Sequence, residues 1–242
     1  MGISVGQDMI QDGLVLSLDA SDKNSYPGSG TTWFDVSGAG YNSTLTNGPT
    51  FSTNNGGVIV FDGADDYVQI PSNNYWNSNV FGTATNFTIA CWAKPDLYEN
   101  WDTLISKIDL NVVGGWYSAN EGPAIWTDVS GFVAVFSSGV CCNPGGSILQ
   151  IFYPTSNTQK WFNLCLTGDG TTLRFYVDGA EVGNTLISNR TYPVTVSNVG
   201  PTLGWRQNWK GQMGNALFYT RGLTASEVLQ NYNAMKSRFG LK

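Results

Sequence analysis

Two indole rings, a guanidinium and two amides stand together near the C-terminal end of the sequence. Neutral sugars present apolar C–H faces edged by hydroxyl groups, so rings beside hydrogen-bond donors suit carbohydrate binding. We therefore predict a carbohydrate-binding site that consists of Trp205, Arg206, Gln207, Asn208 and Trp209, with Trp116 and Tyr117 as a second aromatic pair. Trp126 is a further aromatic candidate in a stretch that looks like a loop. For each ring, packing in or beside the core is the alternative.

Catalytic chemistry is restricted because the 242 residues contain no histidine. A Ser-His-Asp triad, a Cys-His pair and a histidine-ligated zinc are therefore excluded for this chain alone. A pair of carboxylates remains available, since glycoside hydrolysis needs only two acidic side chains at a suitable separation. Glu99 and Asp102 flank Trp101, and other pairs could come from distant segments. We assign no catalytic residue and expect binding without catalysis, with a glycoside hydrolase as an alternative.

Charge and hydropathy argue against nucleic acid and membrane as partners. The chain carries 12 basic and 18 acidic residues, a net charge of −6, and only 12% of its residues are charged. An acidic surface does not suit phosphate recognition, so we expect no nucleic-acid partner. No apolar run approaches the roughly 18 residues that a membrane span requires, and no export signal is visible at the N-terminus. We therefore expect no membrane insertion.

The elements that must position these side chains are short and apolar, separated by Gly, Asn, Asp, Ser and Pro. Residues Phe87–Ala93 alternate between two faces, with Phe87, Ile89 and Cys91 on one of them; such a period of two predicts a strand. Asp178-Gly179 between two such segments predicts a tight hairpin. About a dozen strands of this kind predict a two-sheet antiparallel sandwich. No linker is visible, so we predict one domain over residues 1–242 with an N-terminal arm at 1–13.

One helix is predicted, over residues 224–239 at the C-terminal end. Thr224 followed by Glu227 forms a capping box, in which each side chain satisfies a backbone N–H at the start of the helix. Gly240 can end the helix. An apolar stripe at helical spacing should pack this helix onto the sandwich; its members are Val228, Leu229, Tyr232 and Met235.

Five segments in order carry a resemblance that covers about residues 14–240. They are LVLSLDASDKNSYPGSGTTWFDVSGAGYNSTLTNGPTF, VIVFDGADDYVQIP, FTIACWAKP, WFNLCLTGDGTTLRFYVDGAEV and GQMGNALFYTRGLTASEVLQNYNAMKSRFG. Together they resemble the laminin-G-like jelly-roll domain of the concanavalin A-like lectin/glucanase superfamily, in the version found in structural proteins of tailed phages. The resemblance implies an all-β, two-sheet antiparallel jelly-roll sandwich with one C-terminal α-helix, which agrees with the pattern of the residues.

The resemblance also carries expectations about sites. Retaining glucanases of this superfamily carry Glu-x-Asp-x-x-Glu on one strand, and none of the four glutamates here stands in that pattern. Members of the superfamily often hold one Ca²⁺ near the rim of the sandwich through an early loop and a late carboxylate. The matching positions here are Asp35, Ser37, Asn42 and Asn215, where Asn215 replaces the usual Asp. An Asx turn without an ion is the alternative for the early loop.

These expectations combine into one function. The chain is expected to be a non-enzymatic structural, decoration or adhesion protein of a phage virion, on the capsid surface or the tail. Its partners would be glycans and other virion subunits, and it would be oligomeric or bound in an assembly. The alternatives are a purely architectural module that holds protein neighbours and a glycoside hydrolase of the glucanase superfamily.

Overall fold

The computed structural model describes residues 8–71, 85–99, 102–106, 122–138, 147–187, 202–203 and 209–242. Within these ranges strands alternate with turns until a single α-helix follows the last strand. The strands are β1 (Leu14–Asp19), β2 (Thr32–Trp33), β3 (Ser43–Thr46), β4 (Thr50–Ser52), β5 (Val58–Asp62), β6 (Tyr67–Gln69), β7 (Asn86–Pro95), β8 (Thr103–Ser106), β9 (Gly122–Asp128), β10 (Gly131–Ser138), β11 (Ser147–Pro154), β12 (Phe162–Asp169), β13 (Thr172–Val177), β14 (Ala180–Leu186), β15 (Thr202–Leu203) and β16 (Lys210–Tyr219). Helix α1 (Ala225–Met235) continues into a 3₁₀ turn, Lys236–Phe239.

The strands form two antiparallel sheets of eight strands each. Sheet A has the order β14-β13-β12-β7-β16-β5-β4, and β1 adds to it by pairing with β16. Sheet B has the order β11-β10-β9-β8-β15-β6-β3-β2. This architecture confirms the predicted two-sheet sandwich with one C-terminal helix, and it leaves each sheet with an inner face and an outer face.

The inner faces of the two sheets bury one continuous apolar core. On β7, Phe87, Ile89 and Cys91 belong to this core, whereas Ala90 and Trp92 belong to apolar clusters on the opposite side of sheet A. The predicted alternation of this strand is therefore confirmed, because successive side chains of a strand point to opposite faces.

Helix α1 covers the outer face of sheet A. Its N-terminus forms the predicted capping box between Thr224 and Glu227. Trp92 stacks on Phe239 with ring centroids 4.4 Å apart, and a side chain at Gly214 would lie 2.5 Å from the Phe239 ring. Leu229 corrects the predicted stripe because it is 45% exposed. The buried side chains of the helix are Val228, Asn231 and Met235.

The shorter elements differ in how clearly the sequence predicts them. The predicted hairpin is confirmed, since Asp178 and Gly179 both have positive φ, 52° and 78°, between β13 and β14. Strands β2, β3, β4, β9 and β15 were not predicted, because three of them have only two or three residues and the others carry turn-like Ser, Thr, Gly and Pro. A further segment whose sequence predicts a strand, residues 194–199, lies outside the described residues.

Candidate functional site

The aromatic and amide stretch predicted from the sequence is described only at its last residue. Trp209 is 0% exposed, and its ring packs on Phe61 with centroids 5.2 Å apart. A side chain at Gly211 would lie 2.6 Å from the Trp209 ring, so the backbone closes over it. The expectation that Trp209 offers a ring to a sugar is therefore wrong, because the ring is part of the core.

The other members of that predicted site lie outside the described residues, namely Trp205, Arg206, Gln207, Asn208, Trp116 and Tyr117. The residues that bracket the first four are described. Leu203 pairs with Val68 on β6, and Lys210 pairs with Asp62 on β5. In sequence, residues 204–208 therefore stand between a strand of sheet B and a strand of sheet A. Their role in carbohydrate binding stays a prediction.

Trp126 is also not the loop residue that the sequence suggested. It lies in β9 opposite Val133 of β10, and it is 4% exposed. Together with Ala124, Val133 and Val135 it forms a small apolar cluster on the outer face of sheet B. The ring therefore packs in a cluster instead of facing a ligand.

The early loop that was predicted to bind calcium uses its oxygen atoms internally. The Asp35 carboxylate accepts hydrogen bonds from the backbone N–H groups of Ser17, Ser37 and Tyr41 at 2.9–3.0 Å, and from the Ser37 hydroxyl at 2.9 Å. The Asn42 side-chain oxygen accepts from the Asp35 N–H at 3.0 Å. These contacts fit the Asx-turn alternative, since N–H donors occupy the oxygens that a cation would need.

Asn215 does not fit the late ligand position. It is buried on β16, where its side-chain oxygen accepts a hydrogen bond from the backbone N–H of Trp92 at 2.9 Å. Its amide nitrogen lies 3.2 Å from the Met235 sulfur. It shares no hydrogen-bond partner with Asp35, and it faces helix α1. Calcium binding itself stays a prediction, and a comparison of melting with and without chelator tests it.

The described glutamates have structural contacts. Glu227 accepts from Arg221 and from the Thr224 N–H, and these hydrogen bonds lower the pKa of its carboxyl to about 2. Glu181 accepts from the Asn184 amide at 2.7 Å, and Glu99 is exposed. A carboxyl with a pKa near 2 remains ionised and cannot serve as the general acid of a glycosidase.

Asp102 is the unusual carboxyl among the described residues. It is 0% exposed, and neither of its side-chain oxygens has a hydrogen-bond partner. Burial, and to a lesser extent the charge of Glu99, raises the pKa of Asp102 to about 7. With no exposure, however, Asp102 cannot reach a sugar, so this pair does not form an accessible catalytic centre.

Three further carboxylates meet at the turn between β5 and β6. The oxygens of Asp62, Asp65 and Asp66 lie within 4.8 Å of one another. Asp66 accepts from the Asp62 N–H at 2.9 Å, and Asp62 accepts from the Ala64 N–H at 2.7 Å. The aspartates therefore close this turn through backbone N–H groups, and their carboxylates cluster at a position where Lys210 pairs opposite Asp62.

The outer face of sheet B holds a row of side chains that the sequence did not reveal. Directly opposed residues of antiparallel strands lie on the same face, and the strand pairings place one such row across all eight strands. In order from β2 to β11 the row is Thr32, Thr44, Gln69, Thr202, Ser106, Ala124, Val135 and Gln150. None of these side chains is charged.

One flank of this row is open to solvent. Thr44 is exposed, Thr32 and Gln69 are half-buried, and the next pair along the strands adds the half-buried Thr46 and Tyr67. In contrast, Thr202, Ser106, Ala124 and Val135 in the middle of the row are buried. We call Thr32, Thr44, Thr46, Tyr67 and Gln69 the open flank; Phe34, which follows β2 and is 40% exposed, borders it.

The sequence could have indicated this surface only through the hydroxyl-rich segment STLT at β3. Its members come from strands that are distant in sequence, and β2 and β3 are too short to show a clear alternation. The pairing register, which the sequence does not reveal, is what brings them together.

The two-layer antiparallel sandwich defines the class of protein, which is a jelly-roll of the concanavalin A-like type. The profile of the family described as the concanavalin A-like lectin/glucanases superfamily, in its laminin-G version, matches residues 62–229. The chain belongs to this superfamily. No curated protein matches the chain in sequence.

Solved structures with the same fold include several binding domains. The binding domain of Paraclostridial Mosquitocidal Protein 1 has a TM-score of 0.70 at 18% identity, over 93% of this chain and 52% of that one. The receptor binding domain of botulinum neurotoxin C/D mosaic serotype has 0.68 at 17%, over 92% and 51%. The chain thus spans about half the length of these toxin domains.

A third structure matches over nearly its full length. Domain 4 of AbnA, a GH43 extracellular arabinanase from Geobacillus stearothermophilus, in complex with arabinotriose, has a TM-score of 0.64 at 16% identity, over 90% of this chain and 98% of that one. At such identities these likenesses show the fold alone. Among the described residues, no helix has the length and apolar character that crossing a membrane requires.

Proposed function

We propose that this protein is a non-catalytic domain that binds glycans through the open flank of sheet B. The observation that carries the proposal is the open flank itself, where hydroxyl and amide side chains from three adjacent strands stand beside the ring of Tyr67. Such side chains both donate and accept hydrogen bonds, as sugar hydroxyls do, and aromatic rings stack on the apolar faces of sugars.

Two further observations support binding over hydrolysis. The similar structures include receptor-binding domains of toxins and one domain in complex with arabinotriose. Among the described residues, the glutamates are exposed singly or held in structural contacts, and Asp102 is buried. Trp205, which the sequence predicts to bind sugar, follows Leu203 by two residues, and Leu203 pairs with β6 of the flank.

Removal of one hydroxyl from the flank and of the ring that borders it tests this proposal. The double variant Phe34→Ala/Thr44→Ala should weaken binding to an arabinan or other glycan probe about tenfold, because an aromatic contact in an interface contributes on the order of 1–2 kcal/mol. Glycan-array signal followed by titration calorimetry measures the loss. The melting temperature should change little, since both side chains are exposed.

The matched control is Phe152→Ala/Thr50→Ala. Phe152 is 45% exposed at the opposite edge of sheet B, and Thr50 is an exposed strand threonine of sheet A. The control should bind like the wild type. Equal binding by both double variants would remove the flank as the site, and Trp205→Ala then tests the neighbouring segment. No signal on any glycan for the wild type would contradict glycan binding altogether.

We further propose that the glycan-binding domain belongs to a phage virion, as a decoration or adhesion protein of the capsid surface or tail. The order of the five sequence segments supports this proposal, because they resemble structural proteins of tailed phages. A low content of charged residues also suits broad packing against other subunits. In the purely architectural alternative, the protein packs in the same assembly but binds no sugar.

One pair of measurements distinguishes a role in assembly from a role in sugar binding. Analytical ultracentrifugation gives the oligomeric state, and co-sedimentation with capsids or tails reports attachment. Co-sedimentation without array signal supports the architectural role, whereas array signal for a monomer that never co-sediments supports a free lectin and contradicts the virion role.

A further inference from the structure

We propose that the open flank selects neutral polysaccharides and rejects acidic ones, an inference that rests on the proposed function. Its basis is the complete absence of charge from the row across sheet B and from the adjoining pair Thr46 and Tyr67. A carboxylate or sulfate on a glycan is normally recognised by Arg or Lys, because charge-assisted hydrogen bonds to an anion need a cationic donor. The described part of this face supplies none.

The surroundings of the flank add repulsion. Tyr67 and Gln69 lie in β6, which starts directly after the acidic turn of Asp62, Asp65 and Asp66. An anionic polymer that lay along the flank would approach these carboxylates. Two like charges about 4 Å apart repel by roughly 1 kcal/mol even in water, and by more at a protein surface. Asp66 is buried and Lys210 pairs opposite Asp62, so Asp62 and Asp65 supply this repulsion and it is secondary to the lack of a cationic donor on the flank.

The geometry of the flank suits an extended neutral chain. Strands β2, β3 and β6 are adjacent, so Thr32, Thr44 and Gln69 form a line about 10 Å long at the usual spacing between strands. Each of the three side chains carries both donor and acceptor atoms, and one donor of the Gln69 amide is used by the Ile70 carbonyl at 2.9 Å. Because no ion pair forms, binding should not depend on released counterions and should respond little to salt.

The experiment uses the full chain and four soluble probes: arabinan and xylan as neutral polysaccharides, and polygalacturonate and alginate as acidic ones. Binding is measured by affinity electrophoresis and calorimetry at about 50 mM and about 500 mM NaCl, where the screening length differs by roughly threefold. We expect retention by at least one neutral probe with less than a twofold change between the two salt concentrations, and no retention by the acidic probes.

A charge placed on the flank should change this selectivity. Thr44→Lys should gain salt-sensitive retention of polygalacturonate and lose about tenfold on the neutral probe. The control Thr50→Lys places the same charge on the exposed edge strand of sheet A and should leave both results as in the wild type.

Failure of this inference and failure of the proposed function give different results. Retention of acidic probes by the wild type, weakened by salt, would overturn the neutral selectivity and keep glycan binding. No retention of any probe would overturn the proposed function itself. Equal gains of acidic binding in Thr44→Lys and Thr50→Lys would show that net charge and not the flank sets selectivity, and would also overturn the inference.

Discussion

The outer faces of the two sheets both consist of alternating outward side chains, but the outer face of sheet A is covered and that of sheet B is partly open to solvent. On sheet A, the outward side chains of β7, β12 and β16 are covered by residues that follow in the chain: Trp92 stacks on Tyr232 and Phe239, and Met235 packs beside them. Arg238 fixes this cover by bonding the Asn55 carbonyl and the Asp19 carboxylate, both at 2.7 Å. This face is an extension of the core.

On sheet B, the same alternation yields an outer face of another kind. Hydroxyl and amide side chains form one flank that stays open, whereas an apolar cluster around Trp126 is buried. The comparison teaches that a strand's outward residues acquire their role from what lies above them. A covered face contributes stability, and an open face remains available for a partner.

The largest expected effect belongs to the covered face. Phe239→Ala should lower the free energy of unfolding by about 3–5 kcal/mol, because it removes a buried ring between Trp92 and Trp161 and leaves a cavity. Urea unfolding measures the loss. Leu229→Ala on the same helix is the control and should cost under about 1 kcal/mol, as its side chain is largely exposed. Similar costs for the two variants would mean that the helix does not cover the sheet as described.

The next effect concerns Asp102 at the start of β8 in sheet B. Its pKa is about 7 in the folded protein, against about 3.9 when unfolded, so the folded state holds the proton more tightly. The contribution of Asp102 to stability is therefore most favourable below about pH 4, falls as the pH rises toward 7, and is lower by on the order of 4 kcal/mol above that.

Asp102→Asn has no titrating group at this position and should remove this component. Urea unfolding gives the free energy of unfolding at pH 5 and at pH 8, and the difference between these two free energies is compared between wild type and variant. A pH-independent cost of burying the amide cancels in that difference. Glu99→Gln should reduce the difference only slightly, since burial is the larger cause of the raised pKa. Parallel pH dependence in wild type and Asp102→Asn would contradict the buried, unpartnered state of this carboxyl.

The smallest effect comes from the helix cap. Glu227→Gln should cost about 1 kcal/mol near neutral pH, because the amide replaces a carboxylate that holds Arg221 and the Thr224 N–H. The pKa of Glu227 is lowered to about 2, so its contribution is present above about pH 4.5 and disappears as the pH falls toward 2. Glu181→Gln, in an exposed strand, is the control. An equal loss at pH 7 and pH 2.5 would show that the ionised cap is not the source.

Local sequence signals predicted several elements well. The alternation of Phe87–Ala93, the hairpin at Asp178-Gly179 and the capping box at Thr224 each depend on residues that are close in sequence, and all three are confirmed. Leu229 shows the limit of such signals. It continues the apolar stripe of the helix, yet Asn231 is buried in its place because it bonds Ile10 and Tyr219.

The candidate site was less predictable than the fold. Trp209 looked like a binding ring because polar residues precede it, but the approach of β5 places it against Phe61 in the core. Asn215 looked like a ligand by resemblance, and the pairing of β16 with β7 turns its oxygen toward the Trp92 N–H. Conversely, the threonines of β2 and β3 lie in strands too short to show an alternation, and only the hydroxyl-rich STLT of β3 hints at a surface.

The sequence by itself determined the period-two strands, the chain reversals at Gly and Asp, the capped helix and the absence of histidine chemistry. These depend on backbone preferences and side-chain types within a few residues. Tertiary structure decided which rings are buried, which face of each sheet is covered, and which hydroxyls stand in one row. The physical reason is that antiparallel register and layer packing join residues far apart in the chain, and only the free energy of the whole fold selects those contacts.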